Sequence, residues 1–385
     1  MKKKVKFYKY KKITTFILSM LVIFLFSYSI YGTAEYLGLF DEKTIEDNTE
    51  EENKSITSSL EKKKNTELLG STSGNLAQHY SGSNTYGMMV FDDKYLYKSE
   101  KISDKIFTIK KYLFSDLVNG KTEGEQILTG YEIHSLFLID SNLYFISTSQ
   151  NEELEKCEVI AKISTNGDDY YEFKYSQSSK ITSMVTDGEY FYYSQEESND
   201  IYALSIDGNI RITLLDEESS KGTPYIFGFL DNNIYYVNGY EMATLNVQTG
   251  IKTVISNQYC SKQQLPFIHN GKIYSFRNLA KTQLDEIDIK TNEINSIFED
   301  TTLLTSTNQY SQTINNINCI DNFIFLNSNE KIYYIDLKST QKQISLLKET
   351  TCDSTTIYLN QKYLITEDSE YGEPHVTAIT WLLAK

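Results

Sequence analysis

The residues best suited to hold a metal or move a proton are four histidines, His79, His134, His269 and His375. None stands at a His-x-x-x-His spacing, so a metal site would need them to converge from distant parts of the chain. Asp187, Asp207, Asp231 and Asp321 recur, and a glycosidase-type pair would need two carboxylates at convergent positions with separated pKa values. Each is followed by Gly or Asn, which assigns it to a backbone turn instead. No GxSxG nucleophile elbow, Walker A loop or GxGxxG occurs; Gly70–Gly74 reads GSTSG. Cys157, Cys260, Cys319 and Cys352 form no CxxC, which argues against zinc. An oxidising exterior would permit disulfides between them, but they read as unpaired, partly buried thiols. Trp381, the only Trp, ends the last strand and reads as core packing rather than a sugar platform. No catalytic, cofactor-binding or metal residue is assigned, no cofactor is expected, and the chain reads as a non-enzyme.

The elements that would have to position any site repeat. The clearest copy runs from Met184 to Gly208: an apolar strand, a turn at Asp187-Gly188, an aromatic strand, a polar loop, a third strand and a turn at Asp207-Gly208. Equivalent first turns fall at Asp92, Asp140, Asp187, Asp231, Asn270, Asp321 and Asn360, at spacings of 39 to 51 residues. A period near 45 built from strands alone is the signature of four-stranded propeller blades. Aromatic strands such as YLY, LYF, YFY and IYY follow the turns and suit burial between neighbouring sheets. Third strands usually end in turn pairs, as at Asn166-Gly167, Asp207-Gly208, Thr249-Gly250 and Thr291-Asn292. The fold class predicted is all-β, a closed β-propeller of seven four-stranded blades with six as the alternative, preceded by one transmembrane helix. The last repeat leaves no room for an outer strand before Lys385, so residues 75–85 are expected to pair with it and close the ring.

The N-terminus is a separate object. Seven lysines lie within residues 1–12, and 22 uncharged residues follow before Glu35. A helix over this run spans about 30 Å, enough to cross a bilayer. The preceding lysines favour a cytoplasmic N-terminus. The organisation expected is a basic tail at 1–12, a signal-anchor helix at 13–34, an acidic stalk at 35–74 and the propeller at 75–385. A cleaved signal peptide is the alternative, with Gly32 and Ala34 as the small residues near a cleavage site. Beyond the tail, 30 basic residues face 52 acidic ones, a net −22 that repels nucleic acid.

The repeated DGxxYYS … IYxLxxDG units, best in Asp187–Gly208 and Asp231–Gly250, and Gly74-Asn75 ahead of the first unit give the chain a resemblance to a known family. It resembles the bacterial domain of unknown function named for its similarity to the propeller of the low-density-lipoprotein-receptor-related proteins. The resemblance covers residues 74–385, and the aromatic strand weakens in the fifth to seventh units. It implies a propeller, often tethered behind one membrane helix, with no established catalytic residues to carry over. The function expected is therefore a membrane-anchored, extracytoplasmic, non-catalytic binding or scaffolding module whose partner is a cell-envelope protein or peptide. A surface enzyme acting on glycans or peptides, and a sensor ectodomain working through a membrane partner, are the alternatives.

Overall fold

The computed structural model describes residues 87–148, 157–173, 180–196, 198–215, 222–299, 314–328, 331–340, 342–349, 357–359, 363–367 and 374–380. The tail, the expected membrane segment at 13–34, the stalk, the closing segment at 75–85, His79, Cys352 and Trp381 lie outside the described residues. Among the described residues no helix is long and apolar enough to cross a membrane.

The described chain is all-β, with every sheet ordered as its strands occur in sequence and every neighbouring pair antiparallel. Six sheets have four strands and form blades 1 to 6, at residues 89–131, 134–172, 181–215, 225–256, 267–299 and 314–349. The seventh repeat forms a three-stranded sheet at 357–378. This corrects the seven four-stranded blades predicted from seven turns: six form, because no outer strand follows Pro374–Ala378 among the described residues.

In each blade the first strand packs against the first strand of a neighbour around the axis, while the outer strands of blades 1, 3, 4 and 6 carry only exposed and half-buried residues. The second strands carry the core. Tyr190–Gln195 is buried along its whole length, since both of its faces meet another blade. Tyr192 stacks on Phe229 of blade 4 at 5.1 Å, and Phe191 lies 5.2 Å from Tyr144 of blade 2. Met89, Phe91, Leu96 and Phe114 of blade 1 share one apolar cluster with Ile365 of the C-terminal sheet, and Phe114 stacks on Tyr363 at 5.6 Å. The first and last sheets therefore meet. Phe114 opens the one described α-helix, α1 (Phe114–Val118), a single turn after the third strand of blade 1.

The turn residues do what the sequence assigned them. Asp92 and Asp187 each accept two backbone N–H groups, at 2.7 Å, through one carboxylate oxygen. Asp140, Asp231, Asn270 and Asp321 take φ of 49–53°, which Asp and Asn tolerate. Gly208 sits at φ 77°, and a Cβ there would meet the Phe173 ring at 2.5 Å, so the position excludes any side chain twice over.

Candidate functional site

Because first and third strands run in the same direction, the two ends of the ring differ. One end, the turn face, collects the tight hairpins: Asp187-Gly188, Asp207-Gly208, Asp231-Asn232 and Asn270-Gly271. The other, the loop face, collects the second-to-third-strand loops and the connections between blades.

The carboxylates singled out in the sequence stay on the turn face and do not converge. Asp187 Oδ2 accepts from Tyr192 Oη at 3.1 Å. Burial works against ionised Asp207, but hydrogen bonds from Ser205 and Asn209 hold its carboxyl below the usual range. His269 Nε2 lies 2.5 Å from the Asp321 carbonyl oxygen, tying blade 5 to blade 6. His375 is exposed on the C-terminal sheet. No group of three His, Cys, Asp or Glu among the described residues is placed to hold a metal. Cys157 and Cys319 are buried free thiols and Cys260 is a half-buried one.

The loop face holds a feature that the sequence did not reveal. A polar contact joins each blade to the head of the next first strand. Ser99 Oγ donates to the Ile133 carbonyl at 2.7 Å. Glu158 accepts from Ile181 N at 2.6 Å, and its other oxygen lies 3.3 Å from His134 Nε2. Ser183 Oγ accepts from Ile226 N at 2.7 Å, Lys281 Nζ donates to the Ile314 carbonyl at 2.6 Å, and Asn318 Nδ2 donates to the Ile357 carbonyl at 3.0 Å. Between blades 4 and 5, Gly239 N donates to the carbonyl of Cys260, in the connection that precedes Phe267, at 2.8 Å. His134, which also lies 3.1 Å from Ser135 Oγ, has the Ser–His–carboxylate residue types of an acyl-transfer triad. The second Glu158 oxygen is committed to the blade 3 backbone and Ser135 is buried, so the row binds blade 2 to blade 3.

The most elaborate polar site on the loop face is the corner between blades 4 and 5. Fully buried Asp285 accepts from Tyr259 Oη at 2.6 Å, Arg277 Nε at 2.7 Å, Arg277 Nη2 at 3.1 Å and Gln283 Nε2 at 3.2 Å. Burial, then the bond to Asp285, push the Tyr259 hydroxyl up to about 12, so it remains a donor. The same bond to Asp285 leads the causes that hold the Arg277 guanidinium in its charged form. Gln264 fixes the strand end that carries Arg277: its side-chain N–H groups reach the Phe276 and Arg277 carbonyls at 3.0 and 3.1 Å. Gln264 is itself held by a capping box with Ser261. Beyond Arg277 the loop is pinned by Asn278 Oδ1, which accepts from Thr282 N at 3.2 Å. On this frame Leu279 stands 60% exposed, and Tyr240, on the adjoining loop of blade 4, 64% exposed. The Arg277 side chain is 39% exposed. Such a site can bind a group offering an acceptor for the guanidinium and apolar surface for its neighbours.

No family model and no curated protein matches this chain. Solved structures do. The extracellular domain of BT4673 from B. thetaiotaomicron, assigned to a one-component system in one structure and to a hybrid two-component system in another, aligns with a TM-score of 0.52 in both. Identities are 9% and 13%, over 77% and 76% of this chain and 40% and 38% of those chains. This chain thus spans about two fifths of the BT4673 chains. TolB from Acinetobacter baumannii aligns at 12% identity over 72% of this chain and 80% of that one, with a TM-score of 0.39. The BT4673 likeness shows the propeller fold.

Proposed function

We propose that this protein is a membrane-anchored, extracytoplasmic propeller that binds a cell-envelope protein or peptide through its loop face and performs no catalysis. The observation that carries the reading is the blade 4–5 corner, where exposed Tyr240 and Leu279 and half-exposed Arg277 are held by a fully bonded polar frame instead of by loose loops. Rigid, exposed aromatic and Arg groups are the usual anchors of protein recognition. The anchor follows from the uncharged run at 13–34, and a cytoplasmic N-terminus from the lysines before it. A sensor ectodomain signalling through a membrane partner is the second reading. It is favoured by the fold likeness to the extracellular domain of BT4673.

The test is crosslinking in intact cells with quantitative mass spectrometry, comparing the full chain with a Tyr240→Ala/Leu279→Ala variant and with a turn-face control, Asp169→Asn. A partner recovered with wild type and control but depleted with the loop-face variant supports the reading. Equal recovery by all three, or labelling of the propeller by a cytoplasmic reagent, overturns it.

A further inference from the structure

Arginine is nearly absent from this chain: of its 37 basic residues only Arg211 and Arg277 are arginines. A chain that otherwise uses lysine keeps the planar fork where an ammonium cannot substitute. Arg211 is accounted for inside blade 3, where its guanidinium lies 4.1 Å over the Tyr202 ring and Nε donates to Tyr193 Oη at 2.8 Å. Arg277 is not accounted for by packing alone. Its Nε and Nη2 edge is bonded to buried Asp285, which sets the plane of the guanidinium, the Tyr259 hydroxyl also interacts with it, and the side chain is still 39% exposed.

The surroundings specify what its exposed part would meet. The short helical turn whose Gln264 grips the Arg277 carbonyl exposes Lys262. Lys281, in the loop that Arg277 opens, is buried with its Nζ on the Ile314 carbonyl and adds no charge at the surface. The carboxylates of the corner are engaged: Asp285 is saturated by four donors, and Glu241 pairs with Lys252. In a chain whose portion beyond the tail carries a net −22, this corner therefore presents positive charge. Apolar surface is offered on two sides, by Tyr240 from blade 4 and by Leu279 from the loop that Arg277 opens.

We propose, resting on the loop-face reading above, that this corner binds an extended peptide through an internal Asp or Glu whose carboxylate meets the Arg277 guanidinium, with apolar residues flanking it. Fork-to-fork pairing supplies orientation, and the flanking contacts supply area. An internal residue fits better than a chain end because the apolar groups call for peptide on both sides of the carboxylate.

The experiment is selection of a displayed random dodecapeptide library on the detergent-solubilised full chain, followed by fluorescence anisotropy with the enriched peptides. Enrichment of Asp or Glu flanked by apolar residues is expected. Replacing the acidic residue of the peptide by its amide should weaken binding at least tenfold, and 0.5 M salt should weaken it further. Leu279→Glu, at an exposed site that leaves the frame intact, should abolish binding, and Arg277→Lys should weaken it at least tenfold. Peptides that carry only a C-terminal carboxylate should bind no better than the amide forms. Enrichment of non-acidic peptides, binding indifferent to Leu279→Glu, preference for a free C-terminus, or no enrichment would overturn the proposal. Loss of cellular crosslinking with the Tyr240→Ala/Leu279→Ala variant despite any of these results would leave the loop-face reading standing and this one refuted.

Discussion

Replacing Lys281 by Met should flatten one component of the pH dependence of stability. Lys281 is 7% exposed and its Nζ donates to the Ile314 carbonyl at 2.6 Å. Burial pushes its ammonium down to about 8 from an ordinary 10.5. The folded chain therefore holds fewer protons at this site than the unfolded chain between about pH 8 and 10.5, and stability rises with pH through that window. At 1.36 kcal/mol per pKa unit, the charged form costs the folded state about 3 kcal/mol at pH 7 and about 1.5 kcal/mol at pH 9.5. Methionine keeps the stem and loses the charge. Its loss of the hydrogen bond to Ile314 costs about 1–2 kcal/mol at every pH. The assay is urea unfolding of wild type and Lys281→Met at pH 7.0, 8.0, 9.0 and 9.5. Taking the difference cancels the other groups, including tyrosines such as Tyr97 and Tyr144, which burial pushes up to about 12 and which act in the opposite direction above pH 10. Wild type should gain about 2 kcal/mol on the variant between pH 7.0 and 9.5. Parallel curves would refute the claim that the ammonium is desolvated by the latch between blades 5 and 6.

Three further outcomes follow from the packing. Gly208→Ala, at φ 77° and against the Phe173 ring, should destabilise by about 2 kcal/mol in urea unfolding, and more than Gly239→Ala, which has the same sign of φ but open space. Ser183→Ala leaves the Ile226 N–H and the Ser194 hydroxyl without their shared partner, so unfolding should cost about 1–3 kcal/mol less. Deleting residues 75–85, proposed to supply the outer strand of the C-terminal sheet, should lower the melting temperature; an unchanged value would refute that pairing.

What could be read from the chain and what could not divides along a physical line. The hairpins were legible because positive φ selects Asp, Asn and Gly within two residues, and Asp231-Asn232 and Asn270-Gly271 adopt it as expected. The third strands were legible for the same reason: Gly167, Gly208, Gly250 and Asn292 end them at positive φ. The blade number was less so, because seven turns do not guarantee seven outer strands, and the last repeat forms three strands. The blade-to-blade latches were not legible at all. Ser99, Glu158, Ser183, Lys281 and Asn318 are four different residue types with no common place in their repeats, and each acts on a backbone group 23 to 43 residues away. The Arg277 site had one faint signal, the scarcity of arginine, which acquires meaning only once Asp285 and Tyr259 are placed beside it.

The latches also make the blades non-interchangeable. Ser99, Lys281 and Asn318 offer hydrogens to a carbonyl, whereas Glu158 and Ser183 receive one from an amide. Transplanting blade 5 ahead of blade 3 would aim an ammonium at the N–H of Ile181, and moving blade 2 ahead of blade 6 would set a carboxylate against the oxygen of Ile314. Although the wedges look alike, each carries a socket cut for one successor, so their sequence around the axis is written in hydrogen-bond polarity as well as in peptide connectivity.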